Sequence, residues 1–145
     1  MSRLETYLKM RNYKNFTTAH SVGWSEWHLQ FCTKYRYKIF YNAKYKNLCK
    51  IFIQECCKRH NLNLLDCEVD IDHIHILVSI PLTMTPIKAL NYIKGFTSFC
   101  LFKICPNLRQ IYPRRHLWSH GKFVGSVGHI TLDKAKEYVD NHYKK

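Results

Sequence analysis

His-Ile-His-Ile-Leu-Val-Ser-Ile occupies residues 73–80. It is rich in β-branched and aliphatic residues, the composition of a strand. Strand side chains alternate between faces, so Ile74, Ile76 and Val78 are expected in the core and His73 and His75 together on the other side. Two imidazoles that close can clamp one metal ion. Upstream, Asn63 to Asp70 reads as another strand, and the tight turn near Ile71 and Asp72 predicts that the two pair antiparallel.

Earlier in the chain, Lys44 to Asn61 repeats Tyr45, Leu48, Cys49, Phe52 and Cys56 at helical spacing. Thr85 and Pro86 form a helix start, with proline at the first helical position. That helix is expected to run to about Ile104 and stop before Pro106. Gly95 lies inside it at a cost of roughly 1 kcal/mol relative to alanine, which suggests either a close backbone approach or a break. Ser21 to Thr33 reads as a strand, Tyr35 to Phe40 as a strand end or loop, and Leu117 to Val127 as a strand. Thr131 can cap a final helix with Asp133 in its first turn. The order β α β β α β α predicts an α+β sandwich with a largely antiparallel sheet.

The 145 residues suffice for one domain, read as residues 19–145 behind a basic arm at 1–18. No apolar run approaches the roughly 20 residues that span a bilayer, and residues 1–15 lack the apolar core of a signal peptide. The expected setting is soluble and intracellular. The seven cysteines include no C-x-x-C pair, which argues for reduced, mostly buried thiols over disulfides or a thiolate zinc site. The formal net charge is +13, and it is laid out in blocks. Trp27 to Gln54 holds six basic residues and no acid; His73 to Leu132 holds seven and no acid. Four acids gather instead at Asp66, Glu68, Asp70 and Asp72. Long one-signed stretches attract polyanions, nucleic acid first and a membrane surface second.

The final helix adds a second half to the chemistry. Ala135, Tyr138, Val139 and His142 fall on one face, so a phenol and an imidazole sit one turn apart. That face can simply pack on the sheet. If it packs over His73 and His75, three imidazoles and a phenol meet. A phenol has a pKa near 10 and attacks poorly at neutral pH unless something lowers that value. A divalent cation favours the phenolate and neutralises the phosphate under attack.

Several segments in order resemble one family. They are WHLQFCTKYR (residues 27–36), DHIHILV (72–78), YIKGFTS (92–98), LWSHGKFVGSVG (117–128) and the closing helix with its tyrosine. Together they resemble the single-tyrosine HUH transposases of the smallest bacterial and archaeal insertion sequences, the IS200-like family. The likeness covers about residue 19 to the C-terminus. It implies a ferredoxin-like sandwich with helices on one face and the tyrosine on the C-terminal helix. It further implies a homodimer with shared active sites in the prokaryotic cytoplasm, associated with the nucleoid. The activity implied is cutting and rejoining single-stranded DNA through a 5′-phosphotyrosine, with recognition of hairpins at element ends.

Carried over by position, Tyr138 is the nucleophile, and His73 and His75 are metal ligands. Where the family usually has a glutamine as third ligand, this chain has His142. The family favours magnesium or manganese; three imidazoles suit zinc, nickel or manganese better than magnesium. Lys34, Arg36 and Lys38 alternate with Tyr35 and Tyr37, a pattern suited to a single-strand groove. Lys94, Arg109, Arg114, Arg115 and Lys122 are further expected DNA contacts, and Gly95 is expected to let DNA backbone come close. The rival expectation is a non-catalytic basic protein that binds nucleic-acid hairpins and carries a structural or degenerate histidine site.

Overall fold

The computed structural model of the chain describes residues 24–127. The expected basic arm, the final helix from Thr131, Tyr138 and His142 lie outside the described residues. Strand β1 spans Trp24–Thr33 and is followed by two short 3-10 turns, Lys34–Arg36 and Ile39–Tyr41. Helix α1 is Ala43–Arg59, strand β2 Asn63–Val69 and strand β3 His73–Pro81. Helix α2 is Pro86–Ile104, the one-turn helix α3 Leu108–Ile111 and strand β4 Trp118–Ser126.

The sheet order is β2-β3-β1-β4, and every neighbouring pair is antiparallel. Each βαβ crossover, β1-α1-β2 and β3-α2-β4, skips one strand, which the other unit supplies. This interleaving is the ferredoxin-like arrangement. The α+β reading of the sequence therefore holds.

The helices start where side chains can satisfy their first amides. The Asn42 side chain accepts from the backbone N–H of Lys44 at 2.9 Å, and Thr85 Oγ1 accepts from that of Lys88 at 3.1 Å. Both helices pack on the sheet face formed by Leu29, Phe31, Ile74, Ile76, Val78 and Ile80, all fully buried. From the helices come Cys49, Ile53 and Cys56 of α1, and Ala89, Leu90, Ile93 and Leu101 of α2. All seven cysteines are free thiols. Burial pushes Cys57 and Cys67 up to about 12 and Cys56 to about 11, so these behave as small apolar groups.

Two open expectations are narrowed. Residues 35–40, read as a strand end or a loop, form the loop: Tyr35 and Arg36 take left-handed φ values of 60° and 54°, and the chain turns twice. Helix α2 runs unbroken through Gly95, which is exposed. A Cβ added there meets nothing within 4 Å, so no close approach within the described residues explains the glycine.

Candidate active site

The second face of the sheet is polar and yet shielded. Glu26 and His28 of β1 and His73, His75 and Ser79 of β3 are all buried. Burying such groups is costly unless they are hydrogen-bonded, so this face is built for more than packing.

His73 and His75 do meet, as alternation on β3 predicted. Their ring centroids are 4.8 Å apart and the rings are nearly perpendicular, at 81°. Each ring is held through Nδ1. His73 Nδ1 lies 2.7 Å from Asp72 Oδ1. His75 Nδ1 lies 3.3 Å from Nε2 of His28. On His73, Nε2 faces Asp70 Oδ2 at 3.5 Å.

Asp72 links this site to the basic turn after β1. Arg36 Nε donates to Asp72 Oδ2 at 3.3 Å, while the other carboxylate oxygen meets His73. Partial burial works to raise the Asp72 pKa, but the hydrogen bonds and charges of His73 and Arg36 outweigh it. The carboxyl therefore sits below its usual range and is an acceptor only. An ionised Asp72 accepts from His73 Nδ1; in a neutral ring that would leave Nε2 as the electron-pair donor, with an ion there taking the place of the Asp70 contact. That is the usual support of a metal-binding histidine. Among the described residues, no three His, Cys, Asp or Glu side chains converge as a metal site. The two imidazoles have the donor chemistry of a borderline divalent ion but supply part of a ligand set.

The other nominated residues divide into groups. Lys34 and Arg114 line one cleft of about 580 Å³ with Tyr35, Tyr112, His116 and His120. Arg36, Lys38, Arg109, Arg115 and Lys122 are exposed. Lys94 is half-buried; its ammonium donates to the Ser119 carbonyl at 2.8 Å and lies 6.0 Å from the Phe31 ring centroid. Burial, followed by the charge of Lys122, lowers its pKa. Lys94 thus pins β4 to α2. Lys122 borders a shallower hollow of about 380 Å³ with Gln30, Cys32 and Phe123.

Sequence reading missed His28, Asp70, Tyr112, His116 and His120. A signal for His28 was available. In β1 the polar Glu26, His28 and Gln30 alternate with Trp27, Leu29 and Phe31, which places His28 on the polar face. Tyr112 carried none. Its hydroxyl donates to the Lys34 carbonyl at 2.8 Å, and burial pushes its pKa up to about 12. It is a fixed phenol, unsuited to act as a nucleophile.

Comparison with known proteins adds an independent line. A family model described as "Transposase IS200 like" matches residues 21–142. The transposase for insertion sequence element IS200 of Salmonella typhimurium is 31% identical over 127 residues, which cover 88% of this chain and 82% of that protein. A crystal structure assigned as a transposase from Deinococcus radiodurans R1 superposes with a TM-score of 0.69 at 23% identity, covering 89% of this chain and 98% of that one. A REP-associated tyrosine transposase bound to a REP hairpin superposes with a TM-score of 0.57 at 13% identity, covering 80% and 62%. At those identities the two structures bear on the fold.

Proposed function

This chain belongs to the IS200-like transposase family, and from that premise we propose that it cuts and rejoins single-stranded DNA through a covalent 5′-phosphotyrosine on Tyr138. The observation that carries the reading is the pair His73 and His75, adjacent on a shielded polar sheet face and each gripped through Nδ1. Such preparation of two imidazoles has no use in plain packing and fits ligation through Nε2.

In this reading His73 and His75 hold a divalent ion, with His142 as the third ligand. The ion, when bound, supplies positive charge that favours the phenolate and neutralises the phosphate. Tyr138 attacks phosphorus; a phosphodiester bond breaks as the tyrosine ester forms, and the 3′ oxygen leaves as a hydroxyl. The ester keeps the energy of the broken bond, so rejoining by a 3′ hydroxyl needs no nucleotide cofactor. Magnesium or manganese is the family's choice, while three imidazoles would also accept zinc or nickel.

The DNA would follow the basic residues. Lys34, Arg36, Lys38, Arg109, Arg114, Arg115 and Lys122 would meet phosphates and Tyr35 would stack on a base; all but the half-buried Lys34 are exposed, which supports the reading. Hairpin binding by the REP-associated transposase of the same fold supports a hairpin as the recognised element. Lys94 remains a DNA candidate through the two donors its Ser119 bond leaves. The functional unit would be a homodimer in which the tyrosine helix of one subunit completes the histidine site of the other. A single domain over residues 19–145, a basic arm at 1–18, and action on DNA in the prokaryotic cytoplasm at the nucleoid belong to the same reading. No helix among the described residues is long and apolar enough to cross a membrane.

The test is direct. Protein incubated with Mn²⁺ and a single strand carrying an element-end hairpin should yield a detergent-resistant protein–DNA adduct. Tyr138→Phe should lose the adduct and keep hairpin binding. Hairpin binding without adduct by the unaltered chain, across several metals and cognate ends, would favour the rival reading of a binding protein.

A further inference from the structure

We propose that His28 is a positioning residue for His75, accepting a hydrogen bond from His75 Nδ1 and thereby fixing the tautomer in which His75 Nε2 carries the lone pair. The inference rests on the reading of His75 as a metal ligand and names what prepares it.

The contact is long-range and built by register. In the β1–β3 ladder His75 faces Gln30 and His28 faces Leu77, so His28 and His75 are diagonal neighbours on one face. Their nitrogens are 3.3 Å apart, their planes differ by 9° and their centroids are 5.4 Å apart. That separation is close to the nitrogen–nitrogen distance plus two ring radii. The two nitrogens therefore point at each other nearly in the ring planes, the geometry of a shared proton and not of face-to-face stacking. His28 is fully buried and His75 nearly so, with 4% exposed. The Phe123 ring lies against His28 with centroids 5.6 Å apart and limits its rotation.

A neutral imidazole has one N–H and one acceptor nitrogen. Two lone pairs cannot face each other, so the proton between these rings belongs to one of them. If His28 Nε2 bore it, His75 would keep its own proton on Nε2 and could not ligate there. If His75 Nδ1 bears it, His75 Nε2 is the donor, matching what Asp72 imposes on His73. The two site histidines would then be held alike, one by a carboxylate and one by a neutral imidazole. The neutral partner adds no negative charge beside the incoming phosphate.

Long-range ¹⁵N spectra of histidine-labelled, metal-free protein read the tautomer directly. The expected result is His75 protonated on Nδ1 in the unaltered chain, and loss of that preference in His28→Leu. Mn²⁺ titration, without DNA, should show His28→Leu binding about 10- to 100-fold more weakly. His28→Gln, whose amide oxygen can accept at the same place, should recover most of the affinity. A His75 proton on Nε2 in the unaltered chain, or Mn²⁺ affinity unchanged in His28→Leu with its fold intact by thermal unfolding, would overturn the proposal. Its failure is separable from that of the ligand reading: His75→Ala with full Mn²⁺ affinity sinks the latter, whereas the metal-free tautomer answers for His28 alone.

Discussion

Asp72 Oδ1 sits 2.7 Å from His73 Nδ1, and the same carboxylate receives Arg36 through its other oxygen. One side chain therefore couples the strand that carries the site to the basic turn that follows β1. Replacing Asp72 with alanine frees the His73 ring to turn and to change tautomer. Divalent-ion affinity should fall by about 10- to 100-fold, as for other orienting partners of metal histidines. Calorimetric titration with Mn²⁺ measures it. Arg36→Ala should leave that affinity and the thermal stability nearly unchanged, because exposed ion pairs contribute only about 0–1 kcal/mol.

Gly95 separates folding from function. It is exposed in mid-helix, and a Cβ there meets nothing within 4 Å. Gly95→Ala should therefore stabilise the protein by up to about 1 kcal/mol in chemical denaturation. If DNA backbone approaches α2 at this point, the same variant should bind the hairpin more weakly. Equal hairpin affinity in both proteins would remove DNA from this part of the helix.

The cleft at the end of β1 predicts a salt signature. Lys34 and Arg114 line it, and each can neutralise a phosphate. Lys34→Ala and Arg114→Ala should each weaken binding across DNA sequences alike and reduce the slope of log affinity against log salt by about 1. Fluorescence anisotropy over a salt series gives the slope. An unchanged slope in both would place the strand elsewhere on the basic surface.

The fold was legible where local chemistry acts alone. Pro86 after a capping Thr85, the apolar periodicity of α1, and the alternation from His73 to Ile80 each act within a few residues, and each element lies where the pattern put it. The turns after β1 were not legible. Their backbone is held by partners far along the chain: the Lys34 N–H donates to the Leu117 carbonyl at 2.7 Å, and the Phe40 N–H to that of Ile71 at 3.1 Å. Those bonds stabilise left-handed Tyr35 and Arg36 against their own preference. The same limit applied to the site. His73 and His75 share a strand, so their meeting could be read from spacing. His28 comes from 47 residues away, and its contact with His75 exists only once the β1–β3 register is set.

The shared-site dimer predicts complementation. On the proposed reading, Tyr138→Phe protein would keep the histidine pair and lack the nucleophile, and His73→Ala protein would have the reverse. Mixed and allowed to exchange subunits, the two should regain adduct formation that neither has alone. Silence in the mixture, with exchange shown by differently tagged chains, would place each site within a single subunit.

On the proposed reading, Tyr138 becomes bonded to DNA. Tryptic digestion of the adduct, followed by fragmentation mass spectrometry, locates that bond. Tyr138 falls in the peptide Glu137–Lys144, which also contains Tyr143, so fragment ions must separate the two. The nucleotide mass is expected on Tyr138. A nucleotide mass on Tyr143, or on any other residue, would rule out Tyr138 as the nucleophile.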